Sequence, residues 1–266
     1  MTIESVWGIM AKVTSVMKGG IFMKILKKKT KRNIFLLILA VILMVGVMGY
    51  FLWRPYPADE TAIAYYAPSG SISTIPLDNG NLAYAPRNAQ TGLIFYPGAM
   101  VEYTAYEPLM KACASRGILC ILVKMPAHLS ILNPDAAKGL KEQFPYVENW
   151  YIGGHSLGGN TAASYVAKNT DQYKGLVLLG SYSSVNLTES GLKVLSIYGS
   201  EDKVLNMDTY TKSKEIMPKD FTEIVIDGGN HAGFGMYGNQ RGDGRATIEN
   251  DEQIDLAAHH IAEILE

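Results

Sequence analysis

The sequence predicts an α/β fold: a mainly parallel central sheet with helices on both faces. Three observations predict it. Short apolar runs that read as strands alternate with helix-like segments from about residue 93 onward. The runs are continuously apolar, as in Ile118–Val123, which is the pattern of strands buried on both faces. Glycine-rich turns follow several of these runs, at the carboxyl ends of strands where parallel sheets gather their reactive groups.

The elements follow in order. Ala62–Tyr66 and Ser71–Leu77 are strand-like, and Pro68-Ser69-Gly70 and Asp78-Asn79-Gly80 are turn signals, so an antiparallel lead-in is expected. Leu93–Tyr96 is a strand running into Pro97-Gly98, Tyr106–Ser115 a helix, and Ile118–Val123 a buried strand. Asp135–Gln143 is helix-like with Pro134 near its start. Trp150–Ile152 is a strand entering a Gly-rich turn, and Asn160–Lys168 is a helix. Leu176–Leu179 and Val194–Tyr198 are strands, Asp208–Ile216 is a helix stopped before Pro218, and Thr222–Ile226 is a strand. Glu252–Leu265 closes the chain as an amphipathic helix.

The 266 residues divide unevenly. Ile34 to Trp53 is uncharged and almost wholly apolar, long enough for a membrane-crossing helix. Lys24, Lys27, Lys28, Lys29, Lys31 and Arg32 precede it, and Tyr50, Phe51 and Trp53 end it. A basic flank stays in the cytoplasm, so residues 1–33 are expected inside, 34–53 as a single-pass anchor of the cell membrane, 54–60 as a linker and 61–266 as an extracytoplasmic catalytic domain. The rival expectation is a signal segment, cleaved to release the domain. The purine-rich codons available to Lys18-Gly19-Gly20 resemble a ribosome-binding site, which predicts translation from Met23 and residues 1–22 untranslated.

After Arg54 the chain carries 15 basic and 24 acidic residues, a net charge near −9 without basic runs. That balance argues against a nucleic-acid partner. The two cysteines, Cys113 and Cys120, are too few for a disulfide scaffold and read as buried thiols.

The chemistry starts at Ser156, in Gly154-His155-Ser156-Leu157-Gly158 between a strand and a helix. Strand, Gly-x-Ser-x-Gly and helix make a nucleophile elbow, whose small residues let the two backbones meet. A phosphate loop is excluded, because Asn160 stands where its lysine should be. A serine hydroxyl needs a base, and the base needs an orienting acid. Of five histidines, His155 lies inside the elbow and reads as structural. His128 reads as a loop or pocket residue, and His259 and His260 sit on the final helix. His231 follows a strand in the Gly-rich run Asp227-Gly228-Gly229-Asn230-His231-Ala232-Gly233 and is the candidate base. Asp202, after the strand ending at Tyr198, is the candidate acid. Glu201 is its local competitor, Asp208 reads as a helix N-cap, and Asp227 is close in sequence to His231. Two amides should hold the oxyanion: that of Leu157, at a helix start, and that of Ala99, with Met100 as its alternative.

Taken together, Tyr96-Pro97-Gly98-Ala99, Gly154 to Gly159, Gly199-Ser200-Glu201-Asp202 and Gly229-Asn230-His231-Ala232 resemble the α/β-hydrolase superfamily from about Ala62 to the C-terminus. The chain looks closest to the small bacterial branch similar to dienelactone hydrolases, in which the tail Gly238-Asn239-Gln240-Arg241-Gly242-Asp243-Gly244 also fits. It departs from that branch in carrying Ser156 where true dienelactone hydrolases use cysteine. The resemblance implies an esterase-like fold, no cofactor and no metal. The short stretch Ser181 to Lys193 implies little or no lid, favouring small acyl groups. The expected activity is hydrolysis of small carboxylic esters through an acyl-enzyme. A peptidase, amidase or thioesterase would use the same triad. A membrane-anchored, non-catalytic binding protein on this scaffold is the alternative from another class.

Overall fold

The structure is a computed structural model that describes residues 28–52, 54–66 and 71–265. The expectations for residues 1–27, for Trp53 and for the Pro68-Ser69-Gly70 turn lie outside the described residues. The chain divides into two units after Arg54.

In the first unit, helix α1 spans Lys28–Leu52, 25 residues. Its apolar side chains from Phe35 to Met44 are exposed, as at Phe35 (65%) and Leu43 (67%). Among the described residues no helix is long and apolar enough to cross a membrane; the described side chains of α1 form a shorter run than the 20-residue one in the sequence.

In the second unit, eight strands form one sheet in the order β1-β2-β4-β3-β5-β6-β7-β8. They are β1 Ile72–Pro76, β2 Leu82–Pro86, β3 Thr91–Tyr96, β4 Ile118–Leu122, β5 Asn149–His155, β6 Gly175–Leu179, β7 Lys193–Gly199 and β8 Phe221–Ile226. β2 pairs antiparallel with β1 and β4, and every other pairing is parallel. The helices of this unit are α2 Glu60–Tyr65, α3 Glu107–Ser115, α4 Leu157–Val166, α5 Met207–Ser213 and α6 Asn250–Leu265.

Alternation along the strands splits the core into two layers. On one face Leu93, Phe95, Cys120, Leu122, Val177, Leu179 and Ile197 pack with Leu109 and Cys113 of α3 and Ile254, Ala258 and Ile261 of α6. On the other, Ile94, Tyr96, Leu119, Ile121, Ile152, Leu176 and Leu178 pack with Ala162, Ala163 and Val166 of α4. Residues 254, 257, 258, 261 and 265 repeat at the helical spacing and are all buried, which is why α6 lies flat on this layer. Both cysteines are buried free thiols.

Several elements differ from expectation. Ala62–Tyr66 is not a strand, because Asp59 caps a helix there, its Oδ1 accepting from the Ala62 N–H at 3.0 Å. β2 was not expected. Residues 135–143 form turns and a short 3₁₀ stretch rather than a helix; Gly139, at φ 80°, breaks the helical path. Asn206, not Asp208, caps α5, accepting from the Thr209 N–H at 2.8 Å. Residues 55–59 are not a free linker: Tyr56 bridges to Val101, and the Asp59 N–H donates to the Met236 carbonyl at 2.8 Å. The connection 180–192 between β6 and β7 contains no helix.

Candidate active site

Ser156 stands between β5 and α4 at φ 52°, ψ −123°, a left-handed conformation that a non-glycine residue holds only where its surroundings enforce it. They do so on both sides. The Ser156 N–H donates to the Leu179 carbonyl at 2.9 Å, and Ser181 Oγ donates to the Ser156 carbonyl at 2.7 Å. The turn is tight enough that a Cβ on Gly158 would lie 2.3 Å from the Tyr96 carbonyl oxygen and 2.4 Å from that of Pro97. Any side chain there would push β3 and α4 apart.

His231 and Asp202 are brought together at the ends of β8 and β7. His231 Nδ1 lies 2.7 Å from Asp202 Oδ2, and both side chains are 1% exposed. The other carboxylate oxygen, Oδ1, accepts from the Val204 and Leu205 N–H groups, each at 2.8 Å. These bonds fix the carboxylate plane and hence the imidazole. With Nδ1 so engaged, Nε2 of His231 is left without a hydrogen-bond partner among the described residues. It is the nitrogen available to take a proton. Glu201 and Asp227 make no such contact: the Glu201 N–H donates to the Gly229 carbonyl, and Asp227 accepts from Ser200 Oγ at 3.4 Å.

Ser156, Leu157 and His231 line one cleft of about 290 Å³ with Asn160, Ser184, Val204, Leu205 and their neighbours. Its lining contains no Asp, Glu, Lys or Arg. Asn160 Nδ2 donates to the Tyr182 carbonyl at 3.0 Å and to Ser184 Oγ at 2.6 Å, so the polar wall is held in place.

The two candidates for the second oxyanion donor separate here. The Met100 N–H already donates to the His128 carbonyl at 2.8 Å, whereas the Ala99 N–H has no acceptor among the described residues. His128 therefore acts through its backbone, beside the loop that carries Ala99. His259 and His260 lie on α6, paired with Glu263 at 3.5 and 3.2 Å, apart from the cleft.

Several site residues escape a reading of the sequence. Gly180, at φ 49°, passes so close beneath the pair that a Cβ there would lie 2.9 Å from His231 Nδ1. Gln253 of α6 grips the His231 loop, Oε1 accepting from the Asn230 N–H at 3.0 Å and Nε2 donating to the Asn230 carbonyl at 2.8 Å. Asp243 accepts from the Ala232 N–H at 2.8 Å and from the Lys203 N–H at 3.3 Å, so the Arg241-Gly242-Asp243 segment ties the His231 loop to the Asp202 loop. The only signal for Asp243 was its place in the tail motif; nothing in the sequence pointed to Gln253.

The sequence profile of the alpha/beta hydrolase family matches residues 92–255. No curated protein matches. Similar solved structures include a predicted CIB-like hydrolase of Thermoplasma acidophilum, at 11% identity and TM-score 0.51, covering 73% of this chain and 100% of its own. TT1662 of Thermus thermophilus has 16% identity and TM-score 0.51, covering 74% and 99%. Carboxyl esterase 2 of the mycorrhizal fungus Tuber melanosporum has 11% identity and TM-score 0.53, covering 80% and 92%. At such identities the likeness is one of fold.

Proposed function

Since the chain belongs to the alpha/beta hydrolase family, we propose that it is a serine hydrolase cleaving small carboxylic esters, with Ser156 as nucleophile, His231 as base and Asp202 as the acid that orients it. The observation that carries this reading is the buried Asp202–His231 pair opening on the same cleft as a strained Ser156. His231 Nε2 takes the hydroxyl proton as Ser156 Oγ attacks the ester carbonyl. Asp202 keeps the imidazole in the tautomer with Nδ1 protonated and stabilises the imidazolium. The oxyanion is met by the amides of Leu157 and Ala99. His231 returns the proton to the leaving alcohol, and water, activated the same way, releases the acid from Ser156.

The cleft supports a small substrate. At about 290 Å³ it sits at the lower end of small-molecule sites, about 300–1,000 Å³, and the 180–192 connection supplies no helical cover. The absence of charge in its lining favours neutral esters over anionic or cationic ones. Ser156→Ala is expected to abolish turnover of a 4-nitrophenyl ester and labelling by a fluorophosphonate. Labelling that persisted in this variant would place the nucleophile elsewhere.

We also propose that the apolar sequence run 34–53 anchors the protein in the cell membrane, with the catalytic domain on the extracytoplasmic side. The uncharged run after a basic flank supports this. The full chain should stay in the membrane pellet through an alkaline carbonate wash and dissolve in detergent. Release by carbonate would rule out a spanning anchor.

A further inference from the structure

Beside the catalytic pair lies a second polar cluster that the mechanism above does not use. Tyr106, just before α3, is fully buried, and His155 is 1% exposed. The Gly98 N–H donates to Tyr106 Oη at 3.1 Å, and Tyr106 Oη lies 2.8 Å from His155 Nδ1. The His155 ring then packs on His231, with centroids 4.4 Å apart and a tilt of 49°.

Tyr106 Oη accepts from the Gly98 N–H and shares a second hydrogen bond with His155 Nδ1. The other ring nitrogen, His155 Nε2, is itself buried, and the ring also meets the backbone of His231. Burial, and next the nearness of His231, push the His155 pKa well below its usual value, so the ring stays neutral. A buried imidazole is a costly way to fill space that a phenyl ring would fill. The loop also leaves no slack: a Cβ on Gly98 would lie 2.7 Å from both His155 Nδ1 and Tyr106 Oη.

We propose that Tyr106 and His155 are a pair of positioning residues that lock the oxyanion loop to the nucleophile elbow and to the ring of the catalytic base. The proposal rests on the hydrolase reading above. Gly98 directly precedes the proposed donor Ala99, and His155 directly precedes Ser156. One hydrogen-bonded chain therefore sets the distance between the amide that receives the oxyanion and the hydroxyl that generates it. The neutral His155 ring supports the face of His231 without repelling the imidazolium formed during attack. Tyr106 and His155 act through Gly98, Ala99 and His231, not on the substrate.

Tyr106→Phe removes the bridging hydroxyl and keeps the ring, which packs on Phe95 (centroids 5.4 Å apart) and Tyr237 (6.2 Å). In the full chain in detergent, kcat on a 4-nitrophenyl ester is expected to fall about tenfold or more. Outright loss of an oxyanion donor costs about 10²–10³, and here the donor is displaced rather than removed. KM should stay within about twofold, because the cleft wall formed by Asn160, Ser184 and Val204 is untouched. The rate of fluorophosphonate labelling should fall in parallel with kcat, since that reaction also develops charge on an oxygen. His155→Phe should lower kcat similarly. The double variant should be no worse than the poorer single one, because both substitutions break one hydrogen bond. Unchanged kcat in Tyr106→Phe, a loss confined to KM, or fully multiplicative losses would overturn the proposal. If His155→Phe does not fold, Tyr106→Phe decides alone through the same kcat, KM and labelling readouts. A wild-type chain inert to esters and fluorophosphonate would sink the hydrolase reading, and this proposal with it. An active wild type with an unaffected Tyr106→Phe would sink this proposal only.

Discussion

Backbone strain in the described chain concentrates around Ser156. Six non-glycine residues have positive φ: Asn79, Asn88, Met100, Ala127, His128 and Ser156. Asparagine enters this conformation more readily than most residues. The other four are the proposed nucleophile, a residue of the proposed oxyanion loop, and the pair whose His128 carbonyl holds that loop by accepting from the Met100 N–H. Each such residue costs about 1–3 kcal/mol, and here that cost is spent at Ser156 and at the loop that carries Ala99. Gly180 meets the same constraint with the residue suited to it. Gly180→Ala would add a left-handed alanine, costing about 1–2 kcal/mol, and a methyl 2.9 Å from His231 Nδ1 and 3.2 Å from Asp202 Oδ2. The thermal midpoint should drop by about 2–8 °C for a domain of this size. Turnover should drop by at least about tenfold, because the imidazole must move to make room. A variant with wild-type turnover would show that the base tolerates displacement, contrary to this geometry.

The segment before the sheet is bound to the same loop. Tyr56 runs beside the proposed oxyanion loop: its N–H donates to the Met100 carbonyl at 2.6 Å, and the Glu102 N–H donates to the Tyr56 carbonyl at 2.9 Å. The Ala58 N–H donates to Glu102 Oε2 at 3.1 Å, and Tyr56 Oη accepts from the Arg241 N–H at 3.0 Å. A chain beginning at Arg54 should therefore retain wild-type kcat/KM, whereas one beginning at Thr61 should lose about tenfold or more and resist proteolysis less well. Equal activity of the two would mean that Tyr56 only decorates the loop. The sequence could not announce this role, since Pro55 to Asp59 has the composition of a linker and its bonds reach residues more than 40 positions away. The same limit applies to β2. Leu-Ala-Tyr-Ala-Pro has weak strand propensity, and it is extended because β1 and β4 pair with it on either side. The parallel strands were legible because burial on both faces leaves a continuous apolar run. The Ser156, His231 and Asp202 candidates were legible because each follows such a strand within a glycine-rich turn. Tyr106, Asp243 and Gln253 were not, because each reaches the site through the tertiary fold.

Stability of the whole molecule is tied to pH through His155. The buried ring is held neutral in the folded protein, its pKa pushed well below the usual 6.5 by burial and then by His231. In the unfolded chain it protonates near about 6.5. Below that pH the unfolded state binds one proton more than the folded state, so the folded state loses ground as pH falls, by up to about 1.4 kcal/mol per unit. The contribution is complete above about pH 7.5, erodes through 6.5, and levels off only below the folded pKa. The urea midpoint of the wild-type chain should therefore be lower at pH 5.5 than at 7.5, with an unchanged slope m. His155→Phe removes this titration, so its midpoint should shift less between the two pH values, even if it is less stable than wild type at both. Histidines exposed on α6, such as His259 at 54% side-chain exposure, are common to both chains and drop out of the comparison. An equal pH shift in variant and wild type would show that His155 is charged in the folded protein, and a neutral ring against His231 would have to be abandoned.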